Sequence, residues 1–496
     1  MSLSPIFFIA IFPAALLISG VIVSLVIKSD NGRDKIHLII SLCNLITSLI
    51  VIMLSILFPN RVIFINILYS PTQYFLMSII FLFQVIFSIF IKYTSKDFPN
   101  SFLFDTFSFL IFLGLLGIIS SINFLTLISF FILIIIMIGM IFYFGEFRRE
   151  FNLLKNYFIS CGISIISLMF AALILYIDTG TFELSSLGNI ALSEIARNLL
   201  SILIILGLGV PCGLFPFYVF HLKKYFQESD YFHFVILMTF NYISTIIIMR
   251  LLNSIMNSNS ISLFIILIIS GIGVVIAIYY IILELYTSHD GFTYSIKKLL
   301  GYSLICDSNL ILLLFANFYL FPEPIRNNLL NLLIFLYTSL IIIKLLLSYS
   351  FIVTANKSNE DNFRLLGNFW KENKIFGLLL FLSGLVLIFP VIFTFFYSLF
   401  LYYELIISLL NSLVILISTI TIILLIISLL IYLLFISHIF IQVYISTNVS
   451  YLERESSVKI NKNLIISFSI LLIASLLGYL FIYAFSPYWY LGLISF

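Results

Sequence analysis

The sequence predicts an all-α polytopic membrane protein of about fourteen transmembrane helices. Its centre reads as two inverted five-helix repeats, with broken helices at spans seven and twelve. Three observations lead there. Of the 496 residues, 62% are hydrophobic and only 9% charged, whereas a soluble domain carries about a quarter charged residues. Apolar runs of roughly 20 residues, the length that crosses a bilayer, recur along the whole chain. The Lys and Arg residues between these runs alternate in abundance, as they do when successive loops face opposite sides of a membrane.

In order, the spans fall at 5–27, 36–58, 73–93, 102–121, 123–145, 155–177, 195–222, 232–252, 262–286, 297–319, 328–354, 374–401, 407–446 and 463–486. The run 407–446 suits one tilted or bent helix, and two shorter helices are the alternative. Of the 24 Lys and Arg, 19 lie in loops that follow odd-numbered spans. Arg61, Arg197, Arg250 and Arg326 lie in even-numbered loops or at span edges, and Lys344 lies inside a span. An error in the span count would scramble this alternation, so both termini are expected on the positive-poor, outer side. The organisation that follows is an N-terminal three-helix segment (1–100), a first repeat of helices four to eight (101–252), a second of helices nine to thirteen (253–446), and a loop with a final helix (447–496).

Several functions are excluded on composition. A net charge of +3 is too small and too spread out for a nucleic-acid partner. Cys43, Cys161, Cys212 and Cys306 each stand alone in apolar stretches, so no metal, haem or iron–sulfur site is expected from them. No Gly-rich phosphate loop follows a strand, which removes ATP-driven pumping and NADH binding from this chain. Residues 1–29 lack the basic start and small-residue cleavage site of a signal peptide and read as a retained span. The weight of Ile, Leu, Phe, Tyr, Asn and Ser is that of an AT-rich reading frame, which hints at an organellar genome. The Tyr and Phe stripes read as packing and interface anchors rather than a quinone site.

Span seven contains Gly207-Leu-Gly209-Val-Pro211-Cys-Gly213-Leu-Phe-Pro216. Two prolines and three glycines cannot sit in an unbroken helix, because each proline removes a donor and crowds the preceding turn. Span twelve carries Gly384 and Pro390 at mid-depth. Each is fourth in a five-span unit, and an odd number of spans inverts the second unit relative to the first. Broken helices in equivalent places are a transporter-like arrangement, with two unrelated proline kinks as the plainer alternative.

Ionisable groups inside the bilayer cost roughly 2.5–3.5 kcal/mol each at mid-helix, so they pair or work. Asp307 lies near the middle of span ten and Lys344 near the middle of span eleven. They are expected to face one another or share a hydrated cavity, either as one link of a proton path or as a static pair. Glu284 lies near the end of span nine, where snorkelling to the interface is the simpler reading. His438 in span thirteen and Glu404 at the end of span twelve complete the set of proton-path residues. No catalytic or metal-ligating set is expected.

The loops carry a resemblance. Tyr294-Ser-Ile-Lys-Lys-Leu-Leu-Gly-Tyr-Ser303 resembles the Q-T-x-[IL]-K-R-L-[LI]-A-Y-S-S segment that enters the tenth span of the antiporter-like subunits of respiratory complex I, the proton-pumping NADH:ubiquinone oxidoreductase. Gly213-Leu-Phe-Pro216-Phe217 is similar to their G-x-x-P-[FL]-H. Glu360-Asp-Asn-Phe-Arg-Leu-Leu-Gly367, then Leu382-Ser-Gly384 and Pro390, is similar to their acidic loop and S-L-x-G-[IL]-P-P. Phe147-Arg148-Arg149 and Lys155-Asn-Tyr-Phe158 resemble the F-R-R and K-Y-F around the sixth span. Length and spacing fit subunit 2 best, then subunit 4. Subunit 5 is disfavoured because nothing after Phe496 could be its long lateral helix.

The resemblance implies a membrane-arm subunit of a mitochondrial inner membrane that contributes to proton translocation. It implies NADH, FMN, iron–sulfur clusters and ubiquinone on partner subunits, and neighbouring antiporter-like subunits and lipids as its contacts. It also exposes departures. The family's fifth-span glutamate falls near Ile132, its seventh-span lysine on Pro211, its eighth-span lysine near Asn241, its tenth-span histidine on Asp307 and its twelfth-span lysine near Ser398. A stand-alone cation/proton antiporter, or a structural arm subunit that lost transport, are the rival readings.

Overall fold

The computed structural model describes residues 5–27, 30–57, 62–64, 67–69, 71–94, 101–144, 151–184, 192–217, 231–255, 261–287, 296–319, the helical residues 330, 333–334, 337–338 and 340–345, and 412–440. These are the helices α1 (Pro5–Val26), α2 (Asp30–Leu57), α3 (Pro71–Thr94), α4 (Ser101–Ser120), α5 (Phe124–Phe144), α6 (Phe151–Thr179), α7 (Glu194–Cys212), α8 (Tyr231–Ile255), α9 (Ile261–Thr287), α10 (Ile296–Phe318) and α11 (Ser412–Phe440), with the helical segment at 330–345 between the last two. Eight helices among the described residues are long and apolar enough to cross a membrane. The chain is a multi-pass membrane protein. The run 407–446 carries one continuous helix, α11. The spans expected at 374–401 and 463–486 lie outside the described residues.

Two features depart from the expected spans. A short antiparallel hairpin follows α2: β1 (Val62–Phe64) pairs with β2 (Ile67–Tyr69), Ile63 opposite Leu68. Its β-branched and aromatic residues favour strand conformation. α2 also starts earlier than expected, at Asp30, so Arg33 and Lys35 belong to a helix rather than a loop. Lys35 stays exposed, whereas Arg33 is buried with its Nε 3.6 Å from Asp105 Oδ2. That carboxylate is what allows a guanidinium inside the helix bundle.

The chain divides into two compact units: the first holds the described residues up to 217 and Val235–Ile265, the second the first residues of α8 (231–234) and the described residues from Ile266 to 440. In the first unit α1 packs on α2 and α4, α2 on α3, α3 on α4, α4 on α5, α5 on α6, and α6 on α7. Asn123 and Glu183 bridge the α4–α5 turn to the end of α6. α6 turns Ile159, Ile163, Ile166, Phe170, Leu173 and Ile177 outward. This spacing of three and four makes one apolar face, and a face of that kind suits hydrocarbon rather than water. α10, in the second unit, is the opposite case: its 299–318 stretch is wholly buried. An apolar outside and enclosed polar positions are what a bilayer solvent selects.

Candidate intramembrane ion-pair site

The end of α7 shows how this chain handles a proline inside the membrane. The helix runs through Pro211 and stops at Cys212, short of the expected 222. Pro211 has no N–H to return to the Gly207 carbonyl and its ring crowds that carbonyl. The hydroxyl of Ser164 on α6 donates to the Gly207 carbonyl instead. Gly207 makes this approach possible, since a Cβ there would lie 2.6 Å from Leu168 Cγ. The helix is ended by Gly213, whose φ of 67° is the left-handed conformation that glycine adopts without strain. Its N–H returns to Val210, and that of Leu214 to Gly209, at 3.1 and 2.9 Å. Pro211 is therefore tolerated in the last turn, and the stop belongs to Gly213. Pro216 follows in the turn, and Tyr218 onward lies outside the described residues until Tyr231.

Asn241 on α8 completes this cap. Its side-chain Nδ2 donates to the Cys212 carbonyl at 2.8 Å, while Thr245 Oγ1 donates to the Asn241 carbonyl at 2.9 Å. The amide thus satisfies one of the orphan carbonyls that every helix end leaves. Ile132 is half-buried on α5.

The second unit contains the ion pair. Asp307, midway along α10, and Lys344, in the 330–345 segment, bond directly to one another, both fully buried. Ser308 and Asn309 flank the aspartate and are buried too, and Asn309 Nδ2 donates to the Ile305 carbonyl at 2.7 Å. α9 passes so close that a Cβ on Gly273 would collide with the Asn309 side chain. Tyr280 of α9 stacks on Tyr302 of α10 at 5.2 Å. The pair is thus walled by packed side chains. One charge alone here would lack a counter-ion in a low-dielectric interior, where breaking such a pair costs about 3–5 kcal/mol.

Glu284, near the C-terminal end of α9, lies 3.7 Å from Lys298 in the first turns of α10. It ends in an ion pair at the edge of the helix pair rather than snorkelling alone. His438 lies on α11, its side chain outside the described set. Glu404, Gly384, Pro390 and Ser398 lie outside the described residues. Sequence reasoning passed over Asp105 and His37, both buried among α1–α4. The signal was present: Arg33, His37, Ser41, Asn44 and Ser48 recur at helical spacing.

The family model described as NADH:quinone oxidoreductase/Mrp antiporter, transmembrane, matches residues 120–424. The chain belongs to this family. Its antiporter-like fold is also that of solved structures of low identity. A chain of the archaeal membrane-bound sulfane sulfur reductase, a respiratory membrane complex, matches with TM-score 0.75 at 15% identity, covering 99% of this chain and 96% of that one. A chain of respiratory complex I from Thermus thermophilus matches with TM-score 0.68 at 14% identity, covering 96% and 98%. One of the Mrp complex from Dietzia sp. DQ12-45-1b matches with TM-score 0.68 at 14% identity, covering 97% of each. No curated protein matches the sequence. All three are structures of complexes.

Proposed function

We propose that this chain is an antiporter-like membrane-arm subunit of a proton-pumping NADH:ubiquinone oxidoreductase, most like subunit 2, and that Asp307 and Lys344 form one link of its proton path. The observation that carries this reading is a fully buried carboxylate–ammonium pair at mid-span in a member of the antiporter family. A lysine held in such an interior stays charged only while its counter-ion is near. Moving Asp307 away favours release of the Lys344 proton, and restoring the contact favours its return. Coupling that separation to the rest of the complex makes the pair a proton-handling element.

The finer parts of the reading rest on the sequence. The Lys/Arg alternation supports about fourteen spans with both termini on the intermembrane-space side of a mitochondrial inner membrane. The AT-rich character supports the organelle, and the loop motifs support subunit 2 over subunit 4. Inverted repeats over 101–252 and 253–446, broken helices seven and twelve, and further path residues Glu284, His438 and Glu404 belong to the same proposal. NADH, FMN, iron–sulfur clusters and ubiquinone are assigned to partner subunits, so this chain contributes to the enzyme without a redox site of its own.

A structural arm subunit that has lost transport is the second reading, and Asn241 favours it. The side chain nearest the family's eighth-span lysine is here committed to capping α7. Two measurements decide. On a native gel of gently solubilised membranes, the chain is expected to co-migrate with NADH dehydrogenase activity; migration away from that activity makes a free-standing antiporter the better reading. In the assembled complex, Lys344→Met is expected to lower the protons moved per NADH oxidised. Intact assembly with unchanged stoichiometry removes the relay and leaves the structural subunit.

A further inference from the structure

The N-terminal bundle buries a polar stripe that the site above does not use. Arg33, His37, Ser41, Asn44 and Ser48 lie on one face of α2, each at most 6% exposed. At about 1.5 Å per residue they cover roughly 22 Å along the helix. His37 Nε2 is 2.8 Å from Ser108 Oγ on α4, and Ser41 Oγ is 3.0 Å from Ser88 Oγ on α3. Asn44 Nδ2 donates to Gln84 Oε1 on α3 at 3.4 Å. The Arg33–Asp105 pair stands at the start of the row.

Polar side chains between membrane helices can serve simply as dry glue. The hydrogen-bond inventory argues against dryness here. Ser108 gives its one hydroxyl hydrogen to the Asp105 carbonyl at 2.7 Å, so it accepts from His37, which sets the proton on Nε2. His37 Nδ1 is then a bare acceptor, buried with no partner. Asn44 Oδ1 and Gln84 Nε2 are also buried without partners. Turning both amides over changes which atoms are orphaned, not how many. Ser41 and Ser88 each donate to a carbonyl of their own helix, at 2.8 and 2.7 Å, so their mutual contact holds a hydrogen only when one hydroxyl turns. A small cavity beside Ser108, walled by Phe87, Phe112 and Thr239, adjoins the row. Orphaned polar atoms in such numbers are normally met by ordered water.

We propose that this stripe is a hydrated lane, with water bound at His37 Nδ1 and at the Asn44–Gln84 pair, and that His37 is its proton relay. A proton arrives from water at Nδ1, making the imidazolium. The Nε2 proton then passes to the Ser108 oxygen, while that hydroxyl turns from the Asp105 carbonyl and hands its own hydrogen to water in the cavity beside it. The ring returns to its starting tautomer when it turns. Among the described residues, the titratable or charged groups nearest in the row are Arg33 and Asp34, one turn before His37 on α2, and Asp105, one turn before Ser108 on α4; the rings of Phe87 and Phe109 also face His37. From α1 and α3 the described neighbours in the row, Ser24, Gln84 and Ser88, are uncharged. The lane lies in the first compact unit and does not need the Asp307–Lys344 pair.

The test uses the whole complex purified with this chain in it. A cryo-electron-microscopy map that resolves ordered water is expected to show density within hydrogen-bonding reach of His37 Nδ1 and of Asn44 Oδ1 or Gln84 Nε2. A dry row overturns the proposal. His37→Gln keeps a polar, water-holding side chain but cannot titrate. In proteoliposomes driven by NADH it is expected to lower protons moved per turnover by about half or more, with NADH oxidation retained. Unchanged flux overturns the relay, and His37→Phe should match the His37→Gln defect if it assembles. The driving reaction rests on the function proposed above, and the two readings fail separately. A wild-type complex with no NADH-driven flux counts against that function, and the map still decides the lane. A defect in His37→Gln but none in Lys344→Met leaves the lane and removes the ion-pair relay.

Discussion

Asp307 and Lys344 are coupled, and their coupling is measurable without knowing the transported ion. Both are fully buried, so removing either leaves the other uncompensated. Asp307→Asn or Lys344→Met alone should destabilise the protein by about 3–5 kcal/mol. The pair of changes together should cost less than the sum of the two, because no charge is then left alone. Thermal unfolding of the wild type, both single variants and the double variant in the same detergent reads this directly. Strict additivity would mean that the residues do not share one low-dielectric site. The two residues were legible in the sequence because an acid and a base inside apolar spans have few places to go. Their meeting was expected, but the choice between direct contact and a shared cavity was not legible, since 37 residues separate them and nothing in either span specifies which face meets which.

The lesson of the helices lies in α7. Pro211 looked like a break in the chain, yet the helix carries it in the last turn, with Ser164 serving the carbonyl that the proline abandons. Ser164→Ala should cost about 1–3 kcal/mol by leaving that buried carbonyl unsatisfied. In a Pro211→Ala background the same change should cost little, because the restored N–H reaches Gly207. Melting temperatures of the four proteins test this; equal Ser164→Ala penalties in both backgrounds would show that the hydroxyl does not answer the proline. Gly207→Ala should be destabilising by its collision with Leu168. Helix bounds were readable from apolar run lengths to within a few residues for most of the described helices. α2 was misjudged at its start because a charged residue reads as loop until its partner, Asp105, is known. The hairpin at 62–69 was missed because two three-residue strands carry little periodicity.

The whole chain poses a question of sidedness. The Lys/Arg alternation predicts that the loop after α3 and the loop after α6 face opposite sides of the membrane. Single cysteines at Lys96 and Thr181, in a chain whose four native cysteines are replaced, should therefore label with a membrane-impermeant maleimide from opposite faces of oriented vesicles. Labelling of both from one face would disprove the span count between them. Membership of the antiporter family and a fold shared with chains of three respiratory and antiporter complexes set the frame for that topology.

Composition and apolar run length determined by themselves that this is a multi-pass membrane protein and roughly where its helices lie, because the bilayer imposes one requirement on every span. Loop motifs were enough to name the family. Tertiary structure alone decided that Arg33 meets Asp105, Ser164 the carbonyl that Pro211 leaves, and Asn241 the end of α7, and that Asp307 and Lys344 touch directly. The reason is physical. Hydrophobicity is a property of each segment and is summed along the chain. A hydrogen bond or ion pair in an apolar interior is a property of two segments, and exists only once packing has brought their faces together.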